Sequence, residues 1–110
     1  MSHVRDLQID TGCPDTRALV EHVTSKWGVL VLLALDHRTL RWSELKREIA
    51  GVSEKMLIQT LQTLEADRLV RRDALPVVPP HVEYSLTDDG HRAVELLAPL
   101  VQWAQHQVRS

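Results

Sequence analysis

The sequence lacks several features by which whole classes of proteins are recognised. It has a single cysteine, Cys13, so the chain can form no intrachain disulfide and no cysteine-rich zinc site. No apolar run approaches the ~20 residues that a membrane-spanning helix needs. Residues 1–10 contain no apolar stretch of the kind found in signal peptides. These absences predict a cytoplasmic protein that has no membrane partner.

Sequence motifs for catalysis and for cofactors are missing as well. There is no glycine-rich phosphate loop and no Ser-His-Asp candidate, and no two of the six histidines have the i, i+4 spacing of a helical metal site. Glu44 and Glu48 lie one helical turn apart like paired catalytic carboxylates, but the neighbouring Lys46 and Arg47 are more typical of a solvated helix face. We therefore expect no enzymatic activity, no bound metal and no cofactor.

Length and charge distribution favour one small domain with a basic surface. The chain has 110 residues, which suffice for one domain but not two. Residues 1–12 are predicted to be a flexible N-terminal segment and residues 13–110 a single domain. The net charge is −2, yet residues 26–72 carry nine Lys or Arg against six Asp or Glu, whereas the remainder carries four against nine. A basic middle between acidic ends can form one surface that faces DNA.

Apolar periodicity predicts a mainly α-helical fold with a small β-hairpin. Pro14 suits the first position of a helix, and Ser25 is predicted to cap a second helix that is apolar nearly all round. Ser43 is predicted to cap a third helix, which Gly51 ends, and a long amphipathic helix over residues 53–67 follows. Four helices are thus predicted before the chain changes character.

After Arg68 the pattern changes to a partial alternation of apolar and polar residues. Residues 69–75 and 81–86 are predicted to be the two strands of a hairpin, joined by a stiff tip rich in proline. Thr87 is predicted to cap a last helix. Within that helix Pro99 removes one backbone hydrogen bond and should cause a kink or a break.

This order of elements is that of a winged helix-turn-helix, in which the second helix of a pair enters the major groove and a hairpin contacts the flanking DNA. Here the helix over residues 53–67 would enter the groove, and the hairpin over residues 70–86 would be the wing. With Leu57, Leu61 and Leu64 facing the core, about 100° per residue places hydrogen-bonding side chains on the opposite face. That face and its edges comprise Lys55, Met56, Gln59, Gln62 and Thr63.

These residue types suit contact with duplex DNA. Glutamine can bond adenine bidentately, threonine can contact a thymine methyl group, and Lys55 can reach a phosphate or a guanine. In the wing, Arg72 is expected to attract phosphates, together with Lys46 or Lys55. A solvated helix face without a specific function would have a similar composition, so the helix by itself leaves both interpretations open.

Six segments resemble the HxlR family of transcriptional regulators in order and in spacing. The two most distinctive are the helix start Val52-Ser53-Glu54-Lys55-Met56-Leu57 and the wing segment Val78-Pro79-Pro80-His81-Val82-Glu83-Tyr84-Ser85-Leu86-Thr87-Asp88-Asp89-Gly90. The others are Cys13-Pro14, Lys26-Trp27, Trp42-Ser43-Glu44-Leu45 and Leu64-Glu65-Ala66-Asp67-Arg68-Leu69-Val70. Members are dimeric bacterial regulators, several of which respond to thiol-reactive or small-molecule signals. The resemblance therefore implies a sequence-specific DNA-binding regulator of transcription.

The resemblance also implies which side chains lie at the DNA surface, namely Ser53, Lys55, Gln59 and Thr60. The chain departs from the family pattern at four positions. Members often carry a basic residue where this chain has Thr60, and often Arg or Lys where it has His81, whose positive charge would depend on pH. His37 and Arg68 stand where glycine is common, so the backbone must turn there without glycine.

The terminal helices and Cys13 carry the remaining expectations. Both terminal helices have apolar positions that one small domain cannot cover, so we predict a homodimer whose interface they form; these positions are Leu19, Val23, Leu96, Leu97, Leu100, Val101 and Trp103. A symmetric dimer would read a pseudo-palindromic operator with half-sites about one helical turn, or a multiple of it, apart. Cys13 at a helix start is a candidate redox sensor because a thiol there can have a lowered pKa, although the charge of Asp15 disfavours the thiolate.

Other functions remain open at the level of sequence. The net acidity also suits a winged-helix module for protein–protein assembly without specific DNA binding, and RNA binding is a third and less favoured interpretation. A small-molecule effector is left open too, since Trp27, Trp42, Tyr84 and Trp103 can line a ligand pocket. Such aromatic residues are more often core or dimer contacts.

Overall fold

The computed structural model describes residues 9–109, so residues 1–8 of the predicted flexible segment and Ser110 lie outside the described residues. Five helices and three short strands follow one another along the described part of the chain. The helices are α1 (Pro14–Thr24), α2 (Lys26–Ala34), α3 (Trp42–Glu48), α4 (Glu54–Ala66) and α5 (Asp88–Arg109), and the strands are β1 (Leu40–Arg41), β2 (Val70–Leu75) and β3 (His81–Leu86). The predicted mainly α-helical fold with a hairpin is confirmed.

Most helices begin at the capping residues that the sequence predicts. The Ser25 hydroxyl accepts a hydrogen bond from the Gly28 N–H at 3.1 Å, and the Ser53 hydroxyl accepts one from the Met56 N–H, also at 3.1 Å. These bonds satisfy backbone donors that a helix start leaves without a partner in the helix. Thr87 does the same for α5, because its hydroxyl accepts from the Gly90 N–H at 3.1 Å.

The start of α3 is the exception, and the prediction that Ser43 caps it is wrong. The helix begins two residues earlier than that cap implies, after Arg41, whose backbone N–H donates to the Glu44 carboxylate at 2.8 Å. The reason is the neighbouring strand. Leu40 and Arg41 pair with β3, so the extended chain ends at Arg41 and the helix can begin at the next residue. A carboxylate that reaches back from the third helical position is a common way to bond the N-cap backbone.

The three strands form an antiparallel sheet in the order β1-β3-β2. The β2–β3 hairpin runs in register from Val70 opposite Leu86 to Leu75 opposite His81, with the proline-rich tip between the strands. The hairpin was predicted, but β1 was not, because two residues are too short to show a strand periodicity. Val70, Tyr84 and Leu86 turn one face of the sheet towards the core.

The core surrounds α2, whose Val31 and Leu32 are fully buried. It also receives the predicted leucine stripe of α4 and the residues Val94 and Leu97 of α5. α5 is continuous through Pro99, so of the predicted kink or break the break does not occur. Proline has no N–H, so the carbonyl of Glu95 has no helical donor. Both residues are exposed, and water can donate a hydrogen bond to that carbonyl instead. No helix within residues 9–109 is long and apolar enough to cross a lipid bilayer.

Within residues 9–109, two residues that are not glycine adopt the left-handed conformation at turns. His37 has φ 57° and Arg68 has φ 62°. At Arg68 the conformation closes α4 with a Schellman motif, because the Arg68 N–H donates to the Glu65 carbonyl at 2.9 Å and the Leu69 N–H to the Leu64 carbonyl at 3.0 Å. The expectation that the backbone turns at both positions without glycine is confirmed.

Candidate nucleic-acid interface

The outward face of α4 presents exposed polar side chains opposite its buried leucine stripe. Leu57, Leu61 and Leu64 are at most 2% exposed. The exposed residues on the opposite side are Lys55, Gln59 and Gln62, and Ser53 stands exposed at the N-terminus of the helix. The burial pattern therefore matches the orientation that the periodicity predicts, and these side chains are free to approach a groove of DNA.

One edge of this face lies against the first two helices. Met56, Thr60 and Thr63 line a groove there with residues of α1 and the α1–α2 junction, among them His22 and Ser25. Thr60 and Thr63 are only half-exposed, and the Thr60 hydroxyl donates to the Met56 carbonyl at 2.7 Å. Thr60 therefore uses its one donor within the helix, and it lies at the edge of the face rather than at its centre.

The other edge of the face borders the wing and contains an apolar residue that the sequence did not single out. Ile58 is 46% exposed and lines a second groove together with Gln62, Glu65, Arg72 and Tyr84. An apolar side chain at this position can contact a thymine methyl group. Its exposure could have been predicted from its position around the helix axis, because Ile58 lies about 100° from Leu57 and therefore outside the buried stripe.

The register of the hairpin puts the two predicted wing residues on opposite faces. Arg72 pairs with Tyr84, so both point to the face that borders α4. His81 pairs with Leu75 on the other face, where its Nε2 lies 3.5 Å from a carboxylate oxygen of Glu83. Arg72 is thus next to the outward face of α4, whereas His81 lies beside acidic side chains.

Lys46 stands apart from these residues. It is half-exposed on α3, the first helix of the helix-turn-helix pair, and lines neither of the two grooves that flank α4. First helices of such pairs cross the DNA backbone rather than enter the groove. The location of Lys46 therefore suits a phosphate contact rather than a base contact.

A comparison with known protein families decides the family. The sequence pattern of the HxlR-like helix-turn-helix family matches residues 22–110. The chain belongs to the HxlR family. Cys13 lies before the matched region.

Individual relatives agree with this assignment. This HxlR protein is 56% identical over 93 residues to the HTH-type transcriptional regulator YtfH of Escherichia coli K12, a match that covers 84% of this chain and 73% of YtfH. The structure of the transcriptional regulator ytfH from Salmonella typhimurium superposes with a TM-score of 0.82 at 49% identity, covering 91% of this chain and 88% of that one. The redox regulator HypR in its oxidised form has a TM-score of 0.77 at 29% identity, covering 86% of this chain and 96% of HypR. The protein is an HTH-type transcriptional regulator with a winged helix-turn-helix fold.

A hydrogen bond joins α1 of the HxlR protein to the residue that ends α4. His22 Nδ1 lies 2.8 Å from Asp67 Oδ2, and both side chains are partly buried. Reasoning from the sequence did not find this pair, because its members are 45 residues apart along the chain. The contact fixes α1 against the helix that carries the outward polar face.

The terminal helices of the HxlR protein present an exposed apolar face. Its most exposed members are Leu19, Val20, Leu96, Leu100 and Trp103, which are between 42% and 77% exposed. A groove lined mainly by apolar side chains runs between α1 and α5. Leu97 does not belong to this face, because it is 7% exposed and packs in the core, and Val23 and Val101 are half-exposed.

Cys13 is the N-cap residue of α1 and is half-exposed. The Thr16 hydroxyl, followed by the backbone N–H groups of Thr16 and Asp15, lowers the pKa of the Cys13 thiol. Sequence reasoning emphasised the unfavourable charge of Asp15, whereas in the structure the Asp15 backbone favours the thiolate. A thiol with a lowered pKa at a helix N-terminus is typical of reactive cysteines.

Proposed function

We propose that this regulator is a cytoplasmic homodimer that binds a pseudo-palindromic DNA operator in a sequence-specific manner, with α4 in the major groove and the β2–β3 hairpin as the wing. One observation carries the proposal: the exposed hydrogen-bonding face of α4, which lies opposite the buried leucine stripe and next to Arg72. Ser53, Lys55, Gln59 and Gln62 would make the central contacts, with Met56, Ile58, Thr60 and Thr63 at the edges. Lys46 and Arg72 would contact the backbone.

Replacing Gln59 with alanine tests the base contacts. Gln59 is exposed at the centre of the face, so its loss should relax the sequence preference at one base pair by roughly 1–3 kcal/mol and leave the other positions unchanged. The measurement is binding to a library of randomised duplexes. Gln105→Ala on the exposed surface of α5 is the matched control and should keep the full preference. An unchanged preference for Gln59→Ala at every position would refute the proposed orientation of α4.

Two adjacent arginines allow a test of the wing. Arg72 faces the α4 side of the hairpin, and Arg71 faces the other side. Arg72→Gln should therefore lower the slope of log K against log salt by about one unit, whereas Arg71→Gln should leave the slope unchanged. Fluorescence polarisation with one labelled operator over a range of salt concentrations measures both. Equal slopes for the two variants would place the phosphate contacts outside the α4-facing side of the wing.

The dimer rests on the exposed apolar face of α1 and α5. The C-terminal part of α5 packs against little else, and nearly all of residues 99–109 are exposed. The radius of gyration is 15.8 Å, whereas a compact chain of this length has about 13 Å. A helical segment of this length is only marginally stable in water by itself. Its helical conformation therefore favours a second subunit that covers its apolar side. A protein-assembly module without DNA binding would also need such a face, and failure to bind any duplex at low salt would favour that alternative.

We infer further that Cys13 senses thiol oxidants. The lowered pKa of its thiol supports this, as does the structural similarity to the redox regulator HypR. With diamide, two Cys13 thiols from two subunits would lose two electrons and two protons and form one S–S bond, while diamide is reduced to its hydrazine. A bridge requires Cα atoms within about 7 Å, so a larger distance in the reduced dimer would make α1 move on oxidation. Such movement would change the distance between the two α4 helices and weaken operator binding.

The thiol chemistry has a defined pH dependence. Because the pKa of Cys13 is lowered, its alkylation by iodoacetamide should reach half of its maximal rate below the pH of about 8.5 at which a free cysteine does. Thr16→Val removes the hydroxyl donor and should move this midpoint upward, whereas Thr16→Ser keeps the donor and should not. A midpoint that is the same in all three proteins would show that the Thr16 hydroxyl does not stabilise the thiolate.

Operator affinity with and without diamide then tests sensing itself. The parent protein should lose affinity on oxidation and regain it with dithiothreitol, and Cys13→Ser should bind equally well under both conditions. Equal responses of the two proteins to diamide would exclude Cys13 as the sensor.

A further inference from the structure

Three potential metal ligands from two distant parts of the chain meet beside the start of α5. Asp36 and His37 lie in the turn after α2, and His91 lies in the first turn of α5. One carboxylate oxygen and one nitrogen from each ring lie within 4.8 Å of one another. The His37 Nε2 is 3.5 Å from Asp36 Oδ1, and the two rings are stacked with centroids 5.7 Å apart.

The backbone on both sides of this cluster is fixed. The Asp36 N–H donates to the Leu33 carbonyl at 3.2 Å, and the Arg38 N–H donates to the Leu35 carbonyl at 3.1 Å, which holds His37 in its left-handed conformation. On the other side, the His91 N–H donates to the Thr87 carbonyl at 2.9 Å. The three side chains therefore project from two anchored segments, and only their torsion angles need to change for the ligand atoms to converge.

We propose that Asp36, His37 and His91 form a binding site for a divalent first-row transition metal ion, with Zn²⁺ as the reference ion. Two imidazoles and one carboxylate are ligands that such ions prefer, and bond lengths of about 2.0–2.2 Å place tetrahedral ligand atoms about 3.4 Å apart. The Asp36–His37 pair already has this separation. His37 is exposed and the other two are half-exposed, so water can complete the coordination.

The charges around the cluster permit a cation. Arg38 follows His37, but its guanidinium donates two hydrogen bonds, of 2.5 Å and 3.3 Å, to the Glu48 carboxylate. The negative charge of that carboxylate offsets the positive charge of Arg38. The α5 start carries Asp88 and Asp89, which offset the positive end of the helix. The cavity that His37 and His91 share is otherwise lined by Arg38, Thr39, Ser85 and Leu86, and Arg38 is the one charged residue among these four.

A bound ion would fasten the turn before the helix-turn-helix pair to the long terminal helix. Ligands from two elements are brought together only in the folded chain, so binding stabilises the folded state. The sequence predicted no metal, because spacing rules detect ligands on one helix or in one loop and these ligands come from two segments. Metal binding at this site does not depend on the proposed operator contacts.

The test uses the full, untagged chain with Cys13→Ser as background, which removes the thiol as a competing ligand. Titration calorimetry with ZnCl2 should give one equivalent per chain, Zn²⁺ but not Mg²⁺ should raise the melting temperature, and Co²⁺ should give visible d–d absorption. His91→Gln should lose all three responses, and His81→Gln, a half-exposed histidine of β3, should keep them.

A second variant separates ligand loss from misfolding. His37→Gly removes a ligand but relieves a left-handed residue, so it should melt no lower than the background protein without metal and show no zinc-dependent rise. An undiminished zinc response in His37→Gly, an equal loss in His81→Gln, or an equal response to Mg²⁺ would each overturn the proposal.

Discussion

Replacing Leu96 and Leu100 together with glutamate is expected to convert the protein into a folded monomer that has lost most of its operator affinity. Both side chains are exposed, by 77% and 55%, so the protomer does not need them for its own core. Glutamate also forms helices about as well as leucine, so α5 should persist. In the proposed dimer, each subunit would bring two charges into an apolar contact, and two-fold symmetry doubles that cost.

The size of the effect on DNA binding follows from linkage of the two half-sites. A dimer binds its second half-site at a high effective concentration, which raises the overall affinity by about 100-fold to 10,000-fold. Sedimentation at micromolar concentration should show a monomer, circular dichroism an unchanged helix content, and fluorescence polarisation a loss of at least about 100-fold in operator affinity. Gln105→Glu adds a charge to the exposed surface of the same helix and should remain a dimer. A dimeric double variant would exclude this face as the interface.

Replacing Gly90 with alanine is expected to destabilise the protein although alanine is the better helix former. In an open helix this change would stabilise by about 1 kcal/mol. At Gly90, however, an added Cβ would collide with the Leu69 carbonyl oxygen and lie 3.2 Å from the Leu86 Cβ. The Leu69 carbonyl cannot move freely, because it accepts a hydrogen bond from the Thr87 N–H at 3.0 Å. Overpacking of this kind costs about 1–3 kcal/mol, or more where backbone must shift.

The sign of the change makes this a sharp test of how α5 packs on the start of β2. Urea denaturation should give a lower midpoint for Gly90→Ala, with the same slope as the parent protein. Gly12→Ala is the control, because its Cβ would make only an ordinary contact of 3.5 Å with the Asp10 carboxylate. A midpoint equal to or above that of the parent would mean that α5 does not pack this closely against the Leu69 carbonyl at Gly90 in solution.

The sequence by itself determined the helices, the hairpin and the buried side of α4. Capping at Ser25, Ser53 and Thr87 depends on hydrogen bonds that span three residues, and the leucine stripe of α4 depends on a spacing of three and four residues. Such short-range patterns are present in the sequence whatever the rest of the chain does. The one misplaced cap, at Ser43, lies where a two-residue strand pairs with residues much later in the chain.

Only the tertiary structure decided which of these elements and side chains face one another. Arg72 and His81 lie on opposite faces because of the register of β2 on β3, and a shift by one residue would have put both on the same face. Leu97 is buried while Leu96 and Leu100 are exposed, because α5 touches the core along only one side. The meeting of Asp36 and His37 with His91 likewise depends on two segments that only the packed core holds together. Arrangements of this kind cannot be predicted from local periodicity because they depend on how separate segments pack against one another.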